Sequence, residues 1–340
     1  MSAVADAYTF AWRHAAKVPE PVLRAAFTLV ADVTWLRRGS GVRRLEANYA
    51  RVRPDLDARG VRRLSRAGMR SYMRYFREAF TLQGATTAQL DARVRFEGYE
   101  ENLRPILDPD GPGTAPERRG AAALALGHLG NWDLAGAYCS PRLGRVLTVA
   151  ERLEPEELFT EFVAFRRSIG IDVLPLGDSD VFRRLVAGAV GGNVVVPLLA
   201  DRDLTSTGIE VDLLGHRARV AAGPAALALA ARVPLLPTVV TYERLTGPRR
   251  RAAGTPWGIV IEFCPPVELP SGTPRDERVV VLTQAWVDTL ARTIAERTED
   301  WHMLQRVFVE DLDPVRAERA GAAGRAAWAA GAGDPEPEAL

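Results

Sequence analysis

The chain has 340 residues, of which 47% are hydrophobic and 26% charged, and its formal net charge is +1. A chain of this length and composition can bury a large core, which excludes a disordered or fibrous protein and predicts one large α/β domain or two smaller ones. The most apolar N-terminal stretch, residues 18–36, is interrupted by Glu20, Arg24 and Asp32, so it does not predict a membrane-spanning helix. No signal peptide is predicted either, because a basic start, a clean apolar run and a small-residue cleavage site do not occur in that order.

The cysteines and histidines argue against a disulfide framework and against a metal site. Cys139 and Cys264 lie far apart in apolar surroundings, without the spacing of zinc ligands, so we expect two buried thiols in a reducing compartment. No ligand spacing connects the four histidines of the chain, which are His14, His128, His216 and His302. We therefore predict that the protein needs no metal.

The N-terminal third is basic, with thirteen arginines and three acidic residues between positions 37 and 77. Residues 56–80 predict an amphipathic helix with apolar side chains at helical spacing on one face. The other face carries arginines every three or four residues, namely Arg59, Arg62, Arg66, Arg70, Arg74 and Arg77. An ordinary solvated face is one interpretation, but such faces mix their charges, so contact with an anionic membrane surface is favoured. Nucleic-acid binding is not expected, because no recognised reading motif accompanies the arginines.

A further helix with a wide apolar face is predicted over residues 21–36. Trp12 and Trp35, with Arg37 and Arg38, suit a lipid headgroup interface, where amphipathic rings and guanidinium groups are both stable. This stretch is therefore a second candidate for membrane contact.

Strands and helices alternate after residue 93, which predicts a sheet covered by helices on both faces. The predicted strands are residues 94–97, 121–126, 145–150, 171–176, 193–199, 235–242 and 257–264. The predicted helices are residues 99–107, 132–139, 154–169, 180–189, 222–232 and 275–297. The predicted fold is a single α/β domain with a central mixed, mostly parallel sheet. In this interpretation residues 1–92 form an N-terminal helical layer, residues 93–312 the α/β core, and residues 313–340 a disordered Ala/Gly/Pro-rich tail.

The strand predicted over residues 121–126 is apolar throughout, as expected for a strand buried on both faces, and it leads into the sequence GHLGNWD. His128 and Asp133 then lie at a strand-to-helix turn, where ligands of open α/β sheets usually bind. An imidazole can take a proton near neutral pH, and a carboxylate on its other nitrogen stabilises the imidazolium. Asp133 is close enough in sequence to supply that carboxylate. The alternative is a histidine that only caps the following helix.

A second polar cluster follows the strand predicted over residues 193–199. Asp201 lies two residues after the end of that strand, so it should share an edge of a parallel sheet with His128. Ser206 and Thr207 form a polar turn, and Arg219 precedes a Gly-Pro helix start that could bind an anion.

Six segments together resemble the bacterial lipid A late acyltransferase superfamily and, within it, are most similar to the phosphatidylinositol mannoside acyltransferases. They are GHLGNWD, TVAERL at residues 148–153, FRRSIG at 165–170, ADRDLTSTG at 200–208, RVAAGPAALA at 219–228 and DWHMLQ at 300–305. The resemblance covers roughly residues 5–310. It implies a glycerolipid acyltransferase-like α/β fold and peripheral binding to the cytoplasmic face of the inner membrane.

The resemblance also assigns roles to individual residues. The catalytic histidine falls on His128, the motif acid on Asp133, and a second acid that polarises the histidine on Asp201, where the family often has Glu. Positions that contact the acyl donor fall on Arg166, Ser206 and Thr207, whereas Glu151 and Arg219 line the same cleft.

The activity implied is transfer of a long-chain acyl group, palmitoyl by expectation, from acyl-CoA to a mannose hydroxyl of a mannosylated phosphatidylinositol. His128 would act as general base, with no covalent acyl-enzyme and no cofactor beyond acyl-CoA as co-substrate. Two other interpretations remain open. A related acyltransferase could use a lysophospholipid or a lipid A-like glycolipid as acceptor, and a membrane-binding protein could keep the fold without the activity.

Overall fold

A computed structural model describes residues 15–111, 114–115, 119–152, 155–203 and 208–312 of the chain. Several sequence-based predictions lie outside these residues: the membrane role of Trp12, the Ser206–Thr207 turn and the disordered tail over residues 313–340.

The core of the fold is a seven-stranded sheet with strand order β1-β9-β8-β2-β5-β3-β4. Its strands are β1 (Val94–Glu97), β2 (Ala121–Leu126), β3 (Arg145–Ala150), β4 (Ile171–Pro175), β5 (Val194–Leu199), β8 (Leu235–Arg244) and β9 (Trp257–Phe263). β6 (Ile209–Leu213) and β7 (His216–Val220) form a separate antiparallel hairpin. Every residue of β2 is buried, as its uninterrupted apolar sequence requires at the centre of a sheet covered on both faces.

Neighbouring strands of the large sheet are parallel except β8 and β9, which are antiparallel. The predicted mixed, mostly parallel α/β sheet is therefore confirmed. β2 lies between β8 and β5, and the carboxyl ends of β2, β3, β4, β5 and β8 meet at one edge. The turns after β2 and β5, which carry the chemistry predicted from the sequence, are thus neighbours.

Eleven α-helices surround the sheet in the described part of the chain. They are α1 (Glu20–Arg37), α2 (Ser40–Val52), α3 (Ala58–Thr81), α4 (Thr87–Arg93), α5 (Arg104–Leu107), α6 (Trp132–Leu143), α7 (Glu156–Ser168), α8 (Val181–Val190), α9 (Gly223–Ala231), α10 (Gly247–Ala253) and α11 (Arg278–Glu296). The sequence analysis did not predict α2, α4 or α10. α4 and α10 have only seven residues each, whereas α2 has thirteen and carries Val42, Leu45, Tyr49 and Val52 at helical spacing. None of the described helices combines the length and apolar character that crossing a bilayer requires.

The arginines of α3 are largely paired rather than left on an open cationic face, contrary to the prediction from the sequence. Arg66 and Arg70 both donate to Asp32 of α1, and their hydrogen bonds hold the pKa of that carboxyl well below its ordinary value. Arg62 pairs with Glu46 of α2. The acidic partners that seemed to be missing are therefore supplied by the two preceding helices.

Two contacts between arginines of α3 and aromatic rings add to the packing of this helix against α1 and the sheet. The Arg62 guanidinium lies 3.6 Å from the centroid of the Trp35 ring, and the Trp35 indole N–H donates to Ser65. Arg74 lies 3.5 Å from the centroid of the Trp257 ring. Trp35 is therefore a partly buried packing residue between α1 and α3, and its place at a lipid interface stays a prediction.

The surface of α1 that faces away from α3 is apolar and exposed. Leu29 and Leu36 are 65% and 66% exposed, and Val22, Val30 and Val33 also reach solvent. Several large apolar side chains exposed together on one helix are uncommon on a surface that faces only water. They indicate a surface that contacts a lipid or a protein partner.

Candidate active site

The turn after β2 requires glycine at two positions. A Cβ on Gly127 would lie 2.6 Å from Leu129 and 3.2 Å from the Asp201 carboxylate. Gly130 has a φ of +60°, and a Cβ there would lie 2.4 Å from the carbonyl oxygen of Val240. The glycines of GHLGNWD thus allow the chain to turn tightly beneath His128 and the Asp201 carboxylate to approach it.

His128 and Asp201 form a hydrogen-bonded pair at the carboxyl edge of the sheet. His128 Nδ1 lies 2.5 Å from Asp201 Oδ1, and the His128 backbone N–H donates to Oδ2 at 2.9 Å. Burial alone would raise the pKa of Asp201, but the charge of His128 and these hydrogen bonds lower it below its ordinary value. An ionised Asp201 holds the proton on Nδ1 and leaves Nε2 to exchange protons with a substrate. The His128 side chain is 20% exposed, which gives it that access.

The neighbouring histidine, His302, is not suited to the same work. Its side chain is buried, and burial together with the charge of Arg74 lowers its pKa to about 3. Its Nε2 lies 3.1 Å from the Ser71 hydroxyl. A base with so low a pKa would take no proton near neutral pH, so His128 is the base candidate of the two.

Asp133 does not orient His128 in the structure. Its Oδ1 accepts from Arg166 Nε at 2.8 Å, and its Oδ2 accepts from the Tyr75 hydroxyl at 2.6 Å. Burial and the charge of Asp133 raise the pKa of Tyr75 well above its ordinary value, so the hydroxyl remains a donor. Of the two acids that the sequence suggested for the imidazole, Asp201 is the one that meets it, and the predicted contact of Asp133 with His128 is wrong. Asp133 instead connects the start of α6 to α7 and α3.

Asn131 fixes the beginning of α6. Its side-chain oxygen accepts from Leu134 N–H, and its amide donates to Glu78 of α3 at 2.8 Å. Glu78 is buried and also pairs with Arg77 and Arg93. The sequence analysis missed Tyr75 and Glu78, although a carboxylate on the buried face of an amphipathic helix is a usable signal.

The other predicted site residues do not all lie beside His128. Glu151 follows β3 at the same edge and pairs with Arg202, the residue after Asp201, at 3.4 Å. Arg219 lies buried on β7, where its guanidinium donates to the Gly208 carbonyl at 3.2 Å. Arg166 is buried against Asp133. Ser206 and Thr207 lie outside the described residues.

An apolar cavity of about 60 Å³ lies between α6 and the sheet. Side chains from β2, β3, β5, β8 and β9 form its floor, while α6 contributes Trp132, Cys139 and its neighbours. Trp132 lies between the cavity and His128, because its ring centroid is 5.5 Å from that of His128. Asp133 and Arg166 also contribute to the lining. Among the described residues, no group of three or more His, Cys, Asp or Glu is arranged to hold a metal ion.

The Asp133–Arg166 pair should make a large contribution to stability. Arg166→Met would leave a buried carboxylate without its cation, which typically costs about 3–5 kcal/mol. We expect a fall of that order in the free energy of unfolding, measured by urea denaturation, with Arg167→Met on the exposed side of the same helix as control. Equal stability of the two variants would contradict this account of the pair.

Comparison with known proteins finds similarity over nearly the whole chain. The model of the family "Bacterial lipid A biosynthesis acyltransferase" matches residues 2–310. A phosphatidylinositol mannoside acyltransferase of Mycolicibacterium smegmatis is 35% identical over 318 residues, which cover 92% of this chain and 94% of the relative. Its namesake from Mycobacterium tuberculosis is 37% identical over 313 residues, which cover 91% of this chain and 90% of the relative.

Proposed function

The chain belongs to the bacterial lipid A biosynthesis acyltransferase family, and we propose that it transfers a long-chain acyl group from acyl-CoA to a mannose hydroxyl of a mannosylated phosphatidylinositol. The observation that carries this proposal is the His128–Asp201 pair, in which the His128 ring contacts Trp132, a residue that lines an apolar cavity. The names of the two relatives support the choice of acceptor.

The reaction needs a base because a sugar hydroxyl has a pKa far above 7. His128 Nε2 would take the hydroxyl proton as the oxygen attacks the thioester carbonyl, and Asp201 would stabilise the imidazolium that forms. Collapse of the tetrahedral intermediate breaks the carbon–sulfur bond, and the imidazolium returns its proton to the leaving CoA thiolate. The ester product and free CoA thus form without a covalent acyl-enzyme.

A cysteine nucleophile is a poor alternative in this site. The Cys139 thiol is the one that lines the cavity, and burial raises its pKa to about 12. Burial likewise raises the pKa of Cys264 to about 12. A thiol with such a pKa is almost entirely protonated near neutral pH, and the thiolate is the reactive form.

The cavity beneath α6 is the proposed binding site for the acyl chain. It is lined mainly by aliphatic side chains, and it lies next to the base that must meet the thioester. Apolar lining of this kind binds hydrocarbon through the hydrophobic effect. Because the cavity is small in this structure, we propose that its side chains rearrange as the chain enters.

Enlarging a side chain in this cavity should change the preferred chain length. For Cys139→Leu we expect the ratio of palmitoyl to decanoyl transfer to fall roughly tenfold, the usual cost of misplacing one or two methylene groups. The control is Cys264→Leu, since Cys264 is also buried but does not line the cavity. The measurement is kcat/KM for each acyl-CoA, and an unchanged ratio in Cys139→Leu would place the chain elsewhere.

Peripheral attachment to the cytoplasmic face of the inner membrane is part of the proposal. Its best support is the exposed apolar face of α1, since Arg62, Arg66 and Arg70 of α3 are paired with Glu46 and Asp32. An amphipathic helix with exposed leucine and valine side chains suits the boundary between headgroups and acyl chains.

Liposome sedimentation tests the α1 surface. The double variant Leu29→Gln/Leu36→Gln should bind anionic liposomes roughly a hundredfold more weakly, at about 1–2 kcal/mol for each leucine withdrawn from lipid. Val190→Gln is a matched control, because Val190 is 67% exposed on α8. If the α8 variant lost binding while the α1 variant kept it, the membrane surface would have to be reassigned.

The activity itself is tested by incubating the purified protein with labelled palmitoyl-CoA and a panel of acceptors in mixed micelles. We expect product with mannosylated phosphatidylinositol and little with a lysophospholipid or a lipid A-like glycolipid. Preferential labelling of either alternative would replace the acceptor but keep the acyl transfer. Absence of transfer to any acceptor would refute the proposed function.

A further inference from the structure

The segment formed by residues 300–302 packs against the turn that carries His128. The two are more than 170 residues apart in the sequence. The His302 N–H donates to the His128 carbonyl at 2.8 Å, and the Gly130 N–H donates to the Asp300 carbonyl at 3.0 Å. Leu129 and Trp301 form an antiparallel bridge between these bonds. The backbone on both sides of His128 is thus held by this segment.

The side chain between the two bonds reaches the catalytic acid. Trp301 is fully buried, and its indole N–H donates to Asp201 Oδ2 at 2.8 Å. The same oxygen accepts the His128 N–H at 2.9 Å, while Oδ1 faces the imidazole Nδ1. Two donors therefore determine the rotation of the Asp201 carboxylate and direct the other oxygen at the ring.

We propose that Trp301 is a positioning residue for acyl transfer, one that fixes the Asp201 carboxylate so that His128 keeps the orientation and tautomer of a general base. The proposal rests on the proposed function for its kinetic consequence. Its structural part, the dependence of the His128–Asp201 hydrogen bond on the Trp301 indole, does not. Without the indole donor, the carboxylate could turn about its terminal torsion, which is broad in energy, and Nδ1 would lose its fixed partner.

The segment is itself held by the N-terminal helices and the sheet. The Tyr49 hydroxyl of α2 donates to the Trp301 carbonyl at 2.9 Å. The buried Asp300 carboxylate accepts from Ser71 of α3 and from the Tyr242 N–H of β8, both at 2.9 Å. Trp301 therefore has a rigid support, as a positioning group requires.

The test is Trp301→Phe in the full-length protein, which keeps an aromatic ring and removes the N–H. We expect kcat to fall about 10- to 100-fold, as for loss of a hydrogen bond to a charged group. The KM for palmitoyl-CoA should change less than twofold, since the indole meets Asp201 and not the substrate. The matched control is Trp286→Phe, because Trp286 is equally buried and its indole N–H meets no acceptor among the described residues. A purely structural role would give the two variants similar kinetics.

A second readout does not depend on turnover. The short Nδ1–H···Oδ1 bond of His128 should give a far-downfield proton resonance, which Trp301→Phe should shift or broaden and Trp286→Phe should leave in place. If Trp301→Phe fails to fold, benzothienylalanine at the same position keeps the shape of the indole and lacks the N–H. An unchanged resonance together with wild-type kcat would overturn the proposal. Lack of transfer by the wild-type protein, with the resonance altered in Trp301→Phe alone, would refute only the proposed function.

Discussion

Replacing His128 with alanine is expected to lower acyl transfer by roughly 10²- to 10⁴-fold, the range typical for loss of a general base. The fold should persist, because the backbone bonds of residue 128 to Asp201 and His302 do not involve the ring. Binding to liposomes should also persist, since α1 lies apart from the turn. The measurement is initial rate at saturating palmitoyl-CoA and acceptor, accompanied by circular dichroism and sedimentation.

His216→Ala is the control for this experiment. His216 lies on the β6–β7 hairpin, where its ring packs near Phe308, and it has no part in the proposed mechanism. Its variant should keep the wild-type rate. If His128→Ala turned over at the wild-type rate, His128 would not be the general base. The alternative, a histidine that only caps the following helix, would then hold.

The sheet and its reactive edge could be predicted because the signal is local. β2 and β5 are short runs of apolar residues bounded by glycine or polar residues, and such runs indicate strands buried on both faces. Once two strands are assigned to a parallel sheet, the residues after them must share an edge. The meeting of His128 with Asp201 follows from that rule, although they are 73 positions apart.

The partners of the buried charges could not be predicted in the same way. Asp133 lies five positions from His128, and proximity in sequence favoured a contact between them. The contacts it makes are with Tyr75 and Arg166, which are 58 and 33 positions away on other helices. The positions of α3 and α7 in the fold decide which of the two carboxylates faces the imidazole. A single sequence gives no information about those positions.

The arginine stripe of α3 shows the same limit for surfaces. Counting charges along this helix alone suggested a free cationic face, because the acidic residues that pair with its arginines lie on other helices, far away in sequence. Asp32 is 34 and 38 positions from Arg66 and Arg70, yet helix packing brings it to both. A helix face can be classified as solvated or paired only when the neighbouring helix is known, and here that neighbour carries the exposed apolar surface.

Asp201→Asn should lower kcat by about 10³- to 10⁴-fold, the size seen when a general-base histidine is held in the wrong tautomer, which lies within the range expected for loss of His128. The Oδ2 position receives two N–H groups, from His128 and Trp301, so the oxygen of an asparagine amide must occupy it. The amide NH₂ then faces His128 Nδ1 as a donor, which puts the ring proton on Nε2 and leaves no lone pair for the sugar hydroxyl. The KM for palmitoyl-CoA should change little, because the interaction lost is made mainly in the transition state.

Steady-state kinetics of Asp201→Asn, with Asp288→Asn on the exposed face of α11 as control, measures this effect. Asp201→Glu is the informative companion. The carboxylate is 1% exposed and already within hydrogen-bond distance of the three donors around it, so an added methylene has no space without displacing Trp301 or His128. We expect that variant to lose activity as well. A raised KM with unchanged kcat in Asp201→Asn would make Asp201 a substrate-binding residue and would leave His128 without its orienting group.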